Sequence, residues 1–260
     1  MTIHQRPIDL NCDLGEIDTP GGHAHDMALL DLITSANIAC GGHAGDDATM
    51  ARTVGDAMAR GVSLGAHPSY PDRGNFGRLE MAIPDHELEV SLASQIGALE
   101  NIARKAGSCI RHVKPHGALY HAAMTKPAIA RLVATAAWSI DPSLILVGQW
   151  GLPGLDVWRS MSDEKHIAAE AFADRRYEPD GTLRSRKASD ALITDPAAAA
   201  EQALALARGR GPLAARPEAR PPTTICIHSD TPNSVAVAKA VRARLESGGF
   251  RVTPLERLPS

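Results

Sequence analysis

Seven short apolar runs of strand type punctuate the chain, and each ends in a cluster of His, Asp, Glu, Lys or Asn before a helical stretch begins. The runs are Ile8 to Cys12, Ser35 to Cys40, Val62 to Ala66, Ile110 to Lys114, Leu144 to Gly148, Ile167 to Phe172 and Thr224 to His228. Their polar endings are Asn11 to Glu16, Ala39 to Asp46, Gly65 to Pro68, Val113 to Gly117, Gly148-Gln149, Glu170 to Arg175 and Ile227 to Asp230. Between them, Asp46 and Asp47 precede Met50, Val54, Ala57 and Met58 at helical spacing, with Gly61 as the stop; Asp85 precedes Leu88, Leu92, Ile96, Leu99 and Ala103, with Gly107 as the stop. Thr125 leads into Ile129, Leu132, Val133, Ala136 and Ala137, while Asp195-Pro196 and Thr231-Pro232 each set a cap residue before a first-turn proline. Strand and helix alternate throughout, which predicts a parallel sheet.

An open doubly wound sheet gathers its ligand groups at one switch point, whereas here nearly every strand end carries one. The pattern therefore predicts a seven-stranded TIM-like β/α barrel, closed or incomplete, formed by one domain over residues 1–260. Pro68 to Pro84 and Asp174 to Asp195 are long connections that leave the carboxyl ends of strands, so they read as substrate loops or lids. Arg208 to Pro222 leads into a strand and reads as a mobile surface loop on the opposite face.

Composition narrows the function. Aromatic residues make up only 3% of the chain and the net charge is -3, so neither a basic field nor stacking platforms favour nucleic acid. Met1 to Pro7 lacks an apolar signal core, and no apolar stretch approaches the roughly 18 residues of a membrane span, which points to the cytoplasm. Cys12, Cys40, Cys109 and Cys226 show no C-x-x-C spacing; three fall in predicted strands, where reduced Cys is a small apolar filler, so a zinc-thiolate site is not expected. Walker A, G-x-G-x-x-G and G-x-S-x-G patterns are all missing from the sequence.

The strand-end clusters carry the chemistry. Asn11 and Asp13 alternate onto one face of their strand, with Glu16 just beyond, although a lone Asp more often caps a turn. Asp46 reads as a helix N-cap, and Gly41, Gly42 and Gly45 leave backbone N–H groups beside it for a phosphate or carboxylate. Lys114 is hard to explain as a solvated charge within a parallel strand, because both faces of such strands are covered. Glu170 and Asp174 are four residues apart and point the same way in a strand, and His228 and Asp230 repeat the alternate placement. Arg73, Arg78, Arg175 and Arg176 are surface charges unless an anionic ligand recruits them. Histidines and carboxylates in this number also suit a divalent metal, without diagnostic spacing.

Six stretches are similar to the LamB/YcsF family, identified with the A subunit of the bacterial ATP-dependent 5-oxoprolinase. They are Ile8 to Glu16 (IDLNCDLGE), Thr34 to Asp46 (TSANIACGGHAGD), Gly65 to Arg78 (GAHPSYPDRGNFGR), Arg111 to Tyr120 (RHVKPHGALY), Glu170 to Tyr177 (EAFADRRY) and Cys226 to Pro232 (CIHSDTP). The chain departs from the family pattern at His121, at Ser229 and at Ser185-Arg186-Lys187. The resemblance implies a seven-stranded barrel of the glycoside hydrolase and polysaccharide deacetylase type. It also implies cleavage of 5-oxo-L-proline to L-glutamate coupled to ATP hydrolysis, with the B and C subunits as partners, and leaves a homo-oligomer open.

That chemistry suits the residues. A lactam is a stabilised amide, and phosphorylating its oxygen with ATP gives an imidate-like species that water opens, releasing phosphate and glutamate. Such transfer needs cations around developing phosphate charge, often Mg2+ held by carboxylates, and a base for water. The candidate catalytic residues are Asp13, His43, His67, Lys114, His116, Glu170, Asp174 and His228. Those for substrate and phosphate are Asn11, Asn37, Gly42, Asp46, Arg78, Arg175 and Arg186, and those for metal are Asp13, Glu16 and His43. Two other readings use the same barrel mouth: a metal-dependent deacetylase or amidohydrolase, and a non-catalytic 5-oxoproline-binding subunit.

Overall fold

The computed structural model describes residues 5–212 and 220–255. Seven parallel strands close into a barrel: β1 (Arg6–Leu14), β2 (Ser35–Ala39), β3 (Ser63–His67), β4 (His112–Val113), β5 (Ile145–Gln149), β6 (Ile167–Phe172) and β7 (Thr224–Ile227). Closure comes from β1, which pairs with β2 through Asn11 to Leu14 and with β7 through Asp9 to Cys12. An eighth strand, β8 (Phe250–Val252), pairs with the first residues of β1 and takes no place in the ring. The helices are α1 (Pro20–Leu30), α2 (Asp47–Ala59), α3 (Asp85–Lys105), α4 (Gly117–Thr125), α5 (Pro127–Ile140), α6 (Pro153–Met161), α7 (Pro196–Ala207) and α8 (Ser234–Ser247). None of the described helices is long and apolar enough to cross a membrane.

Several boundaries differ from the sequence reading. The helices α1, α4 and α6 run for only 11, 9 and 9 residues, too few turns for periodicity to reveal them. Thr125 ends α4, where its Oγ1 donates to His121 O, and Pro127 opens α5. Thr231 caps no helix: its Oγ1 donates to Asp174, and α8 starts later, after a left-handed Asn233. Part of the predicted mobile loop at 208–222 lies outside the described residues; within its described part, Arg208 Nη2 donates to Gly248 O.

The interior of the barrel is unusual for its polarity. Along β1 the alternation sends Ile8, Leu10, Cys12 and Leu14 to the helices and Asp9, Asn11 and Asp13 inward, all of them buried. Three levels result. Lowest, Asp9 accepts from Thr34 Oγ1, Ser35 Oγ and Thr224 Oγ1. Above it, Asn37 accepts from His112 Nε2 at 2.9 Å and donates to Asn11 and Asp13. Highest, at the carboxyl ends of the strands, lie Asp13, His67 and Lys114. Gly65 makes the middle level fit: β3 runs beside β4 there, and a Cβ on Gly65 would overlap the His112 ring.

Burial pushes the Asp9 carboxyl up to about 6 from 3.8, with the three hydroxyl bonds partly offsetting it. Its folded pKa exceeds its unfolded value, so its contribution to stability is full below pH 3.8 and is lost as pH rises through about 6. Asp9→Asn removes this dependence. Denaturant titrations of the two proteins at several pH values are expected to show the wild type losing roughly 2 to 3 kcal/mol relative to the variant between about pH 4 and pH 7.

Candidate functional site

Lys114, just past β4, is 2% exposed, so its ammonium must be neutralised inside the barrel. It lies 2.9 Å from Asp13 Oδ1 and 3.0 Å from Glu170 Oε1, and it also donates to Asn11 Oδ1 and Cys226 Sγ. Four acceptors for three hydrogens leave it fully engaged. Burial opposes the Lys114 charge, but Asp13, Cys226 and Glu170 hold its pKa well above the usual lysine range. Glu170 takes two further bonds, from Asn11 Nδ2 and from Tyr120 Oη. Cys226 is thus no mere apolar filler: it faces the ammonium.

A second group shares Asp13. His67, at the end of β3, places Nε2 at 3.4 Å from Asp13 Oδ2 and 3.0 Å from His116 Nδ1. The outer nitrogens of both rings meet backbone carbonyls: His67 Nδ1 donates to Lys114 O, and His116 Nε2 donates to Phe76 O. With their N–H groups so assigned, the inner nitrogens of the neutral rings present lone pairs to each other. Glu16 Oε1 faces the same point, 3.3 Å from His116 Nδ1, and also accepts from His43 Nε2 at 3.0 Å. The His43 ring stacks on His116 at 3.7 Å, and its buried Nδ1 has no hydrogen-bond partner.

Such a confluence of lone pairs calls for a positive charge, either a proton or a metal ion. Burial works against an imidazolium at His67, yet Asp13 raises its pKa above the usual histidine value. Burial likewise opposes the Asp13 charge, and His67 with Lys114 still holds that carboxyl well below the carboxylate range. His43 is pushed down to about 2 by burial and by the His67 charge, and the same causes lower His116. Both therefore stay neutral, as ligands must be. Glu16, His43, His67 and His116 offer donor atoms within 4.8 Å of one another. The carbonyl bonds on the outer nitrogens are the usual support for histidine ligands.

The residues thus fit a divalent metal, but not as the sequence predicts. Asp13 groups more closely with Cys226 and His228 than with Glu16 and His43, and His67 and His116 complete the four-residue set. A set rich in imidazole suits zinc, iron or nickel better than Mg2+, which prefers oxygen.

Asp174, just past β6, supports the third group. It accepts from His228 N, His228 Nδ1 and Thr231 Oγ1, and although burial opposes its charge, His228 lowers its pKa. His228 stacks on Phe172 and, with Nδ1 bound to Asp174, keeps Nε2 as its free nitrogen. Asp13, His67, Lys114, His116 and His228 all line one cavity of about 670 Å3.

The cavity's rim carries Arg78, Arg175, Arg186, Lys187 and His121. Asp230 Oδ2 accepts from Arg78 at 2.7 Å and from Arg186 at 2.8 Å, joining the loops after β3, β6 and β7. The loop from Pro68 to Pro84 is seated on the floor by the Phe76 carbonyl and by Ala118 N donating to Gly77 O. Gly117 permits that approach, since a Cβ there would meet Gly77 O at 2.6 Å.

Two predicted residues, Gly42 and Asp46, join neither the ion-pair group nor the histidine group. Asp46 is exposed and caps α2 through Thr49 N, and Gly42 packs against Gln95 and Ser69. The glycine loop lines a neighbouring recess with Arg73, whose Nη1 bonds the carbonyls of Gly41 and Gly45. Asn37 meets Asp13 from below and does not line the cavity. Tyr120, Cys226, His112 and His121 were not among the predicted site residues. Tyr120 follows His116 by one helical turn and Cys226 precedes His228 by two strand residues, periodicities that would have found both.

The arrangement is that of a parallel β/α barrel with histidines and carboxylates gathered at its strand ends. A structure described as "T48 deacetylase with substrate" matches with a TM-score of 0.51 over 96% of this chain and 89% of that one, at 13% identity, a likeness of fold alone. The chain belongs to the LamB/YcsF family, whose description matches residues 8–260. It is 48% identical over 253 residues to a Methylococcus capsulatus protein named as the A subunit of 5-oxoprolinase, covering 96% of each. It is 45% identical to a protein of the same name from Chloroflexus aggregans, covering 94% of this chain and 97% of that one. The crystal structure of a lactam utilization protein from Thermus thermophilus matches with a TM-score of 0.83 at 37% identity, over 95% of this chain and 99% of that one.

Two measurements test the geometry. Lys114→Met leaves Asp13 and Glu170 buried without their cation, and denaturant unfolding at neutral pH is expected to show a loss of about 3 to 5 kcal/mol that shrinks in acid. Calorimetric titration with Zn2+ is expected to give one tight site that His67→Ala or His116→Ala weakens at least about 10-fold. Burial, then the Asp13 charge, pushes Glu16 up to about 7, so Zn2+ affinity should fall as pH drops through that value and Glu16 takes a proton.

Proposed function

We propose that this chain is the A subunit of an ATP-dependent 5-oxoprolinase, which opens the lactam of 5-oxo-L-proline to L-glutamate together with the B and C subunits. One observation carries the reading: Asp13, Glu16, His67 and His116 converge at the floor of a cation-rimmed cavity, in a chain 48% identical to a protein named as the A subunit of 5-oxoprolinase.

The lactam carbonyl carbon resists water because amide resonance occupies its orbital. Transfer of the γ-phosphoryl group of ATP to the lactam oxygen removes that resonance and leaves ADP. Water then adds to the carbon, the ring C–N bond breaks as the nitrogen takes a proton, and a second water converts the resulting acyl phosphate to carboxylate and phosphate. Arg78 and Arg186 at the rim meet phosphoryl oxygens. His228, oriented by Asp174, accepts a proton from water at Nε2 and delivers it to the ring nitrogen. Lys114, whose hydrogens are already taken, acts by keeping Asp13 ionised and both Asp13 and Glu170 in place. A divalent metal at the histidine floor would supply Lewis-acid polarisation. Mg2+ accompanies the nucleotide as its usual counter-ion.

The histidine-rich floor and the deacetylase-type fold favour one competing reading, metal-dependent hydrolysis of an acyl group without ATP. The test is a coupled ADP-release assay with partner subunits present. Turnover dependent on 5-oxoproline, falling about 100-fold or more in Asp13→Asn, is the expected result. ATP-independent deacylation of an acetylated sugar by the isolated chain would select the competing reading. Full activity of Asp13→Asn in the complex would reduce this chain to a binding subunit.

A further inference from the structure

Arg175 is an anomaly among the charged groups of the barrel. It is 4% exposed, yet it forms no ion pair with any described carboxylate. Nη2 donates to Arg184 O at 2.8 Å, and Nε is buried with no partner. The neighbouring carboxylates are committed: Asp174 to His228 and Thr231, and Asp230 to Arg78 and Arg186. The backbone around it is held firmly, since Gln202 Nε2 donates to the carbonyls of Phe172, Ala173 and Arg175. Arg175, on a firmly held backbone and with an unpartnered Nε–H, is thus among the residues that line the cavity holding the floor residues. Keeping a buried cation unpaired costs free energy, and a fold retains such a group where a ligand completes it.

We infer that Arg175 is the anchor for the α-carboxylate of the lactam substrate. This inference rests on the 5-oxoprolinase reading and assigns within it the residue that distinguishes an amino-acid lactam from a plain one. Burial separates Arg175 from the other rim cations: the side chains of Arg78 and Arg186 are 47% and 32% exposed and suit a bulky, hydrated polyphosphate. A single desolvated guanidinium suits a small monoanion, which it binds through two parallel N–H bonds. With the carboxylate held there, the lactam ring lies in the cavity whose floor carries His67, Lys114 and His116.

The test compares 5-oxoproline with 2-pyrrolidinone, the same lactam without its carboxylate, by calorimetry on the full chain and by turnover in the complex. Arg175→Met is expected to weaken 5-oxoproline about 10- to 100-fold, in affinity and in KM, and to leave 2-pyrrolidinone and the KM for ATP unchanged. Arg175→Lys should recover part of the loss. Relief of an unpaired buried charge should keep the melting temperature of Arg175→Met at or above that of the wild type, which a structural arginine would not allow. Equal loss for both lactams, a loss confined to ATP, or a lowered melting temperature with unchanged 5-oxoproline affinity would each overturn the assignment. A wild type that binds no 5-oxoproline would overturn the functional reading as well, whereas tight wild-type binding left intact by Arg175→Met removes the anchor alone.

Discussion

The ammonium of Lys114 stands between Asp13 and Glu170 at the buried floor of the cavity, and none of the three groups is tolerable there without the others. Their mutual dependence fixes the upper half of the barrel. Asp13 is thereby kept ionised on β1, where it faces His67 across the strand ends; Glu170 is fixed on β6, where it receives Tyr120 and Asn11. Strands that are distant along the chain are tied through one nitrogen atom. Dispersion between branched side chains, the usual filling of such barrels, gives no comparable directionality.

From that anchored carboxylate the histidine floor follows by hydrogen-bond logic. The Lys114 carbonyl orients His67, so the residue that neutralises Asp13 through its side chain also sets the tautomer of the ring opposite through its backbone. Phe76 does the same for His116 from a loop. The floor is therefore assembled from strand, helix start and loop together, and it is complete only when the loop after β3 is seated.

Much of this was written in the sequence at the strand ends. The polar-apolar alternation of Asp9 to Asp13 encodes an inward face, and a lysine within a parallel strand demands a buried partner. The ring of seven strands was legible for the same reason, since each run was short, apolar and followed by a helix. The pairing of His67 with His116 was not, because His67 ends β3 while His116 opens α4, and spacing along the chain carries no record of which side chains face each other. Gly42 and Asp46 misled in the opposite sense: a glycine-rich turn before a helix resembles an anion cradle, but here close packing on Gln95 and an ordinary cap account for it. Short helices such as α4 and α6 escaped because their burial is decided by neighbours, with too few turns to impose a period.

Asp230 sits where three loops meet. One of its carboxylate oxygens receives guanidinium groups from two of them while the residue itself belongs to the third. Both contacts are partly exposed, so dissolved electrolyte weakens them, and it weakens them together. The three loops consequently lose their common tether as ionic strength rises, so the aperture above the floor responds to the surrounding medium as one unit, while the dry pairs beneath it do not.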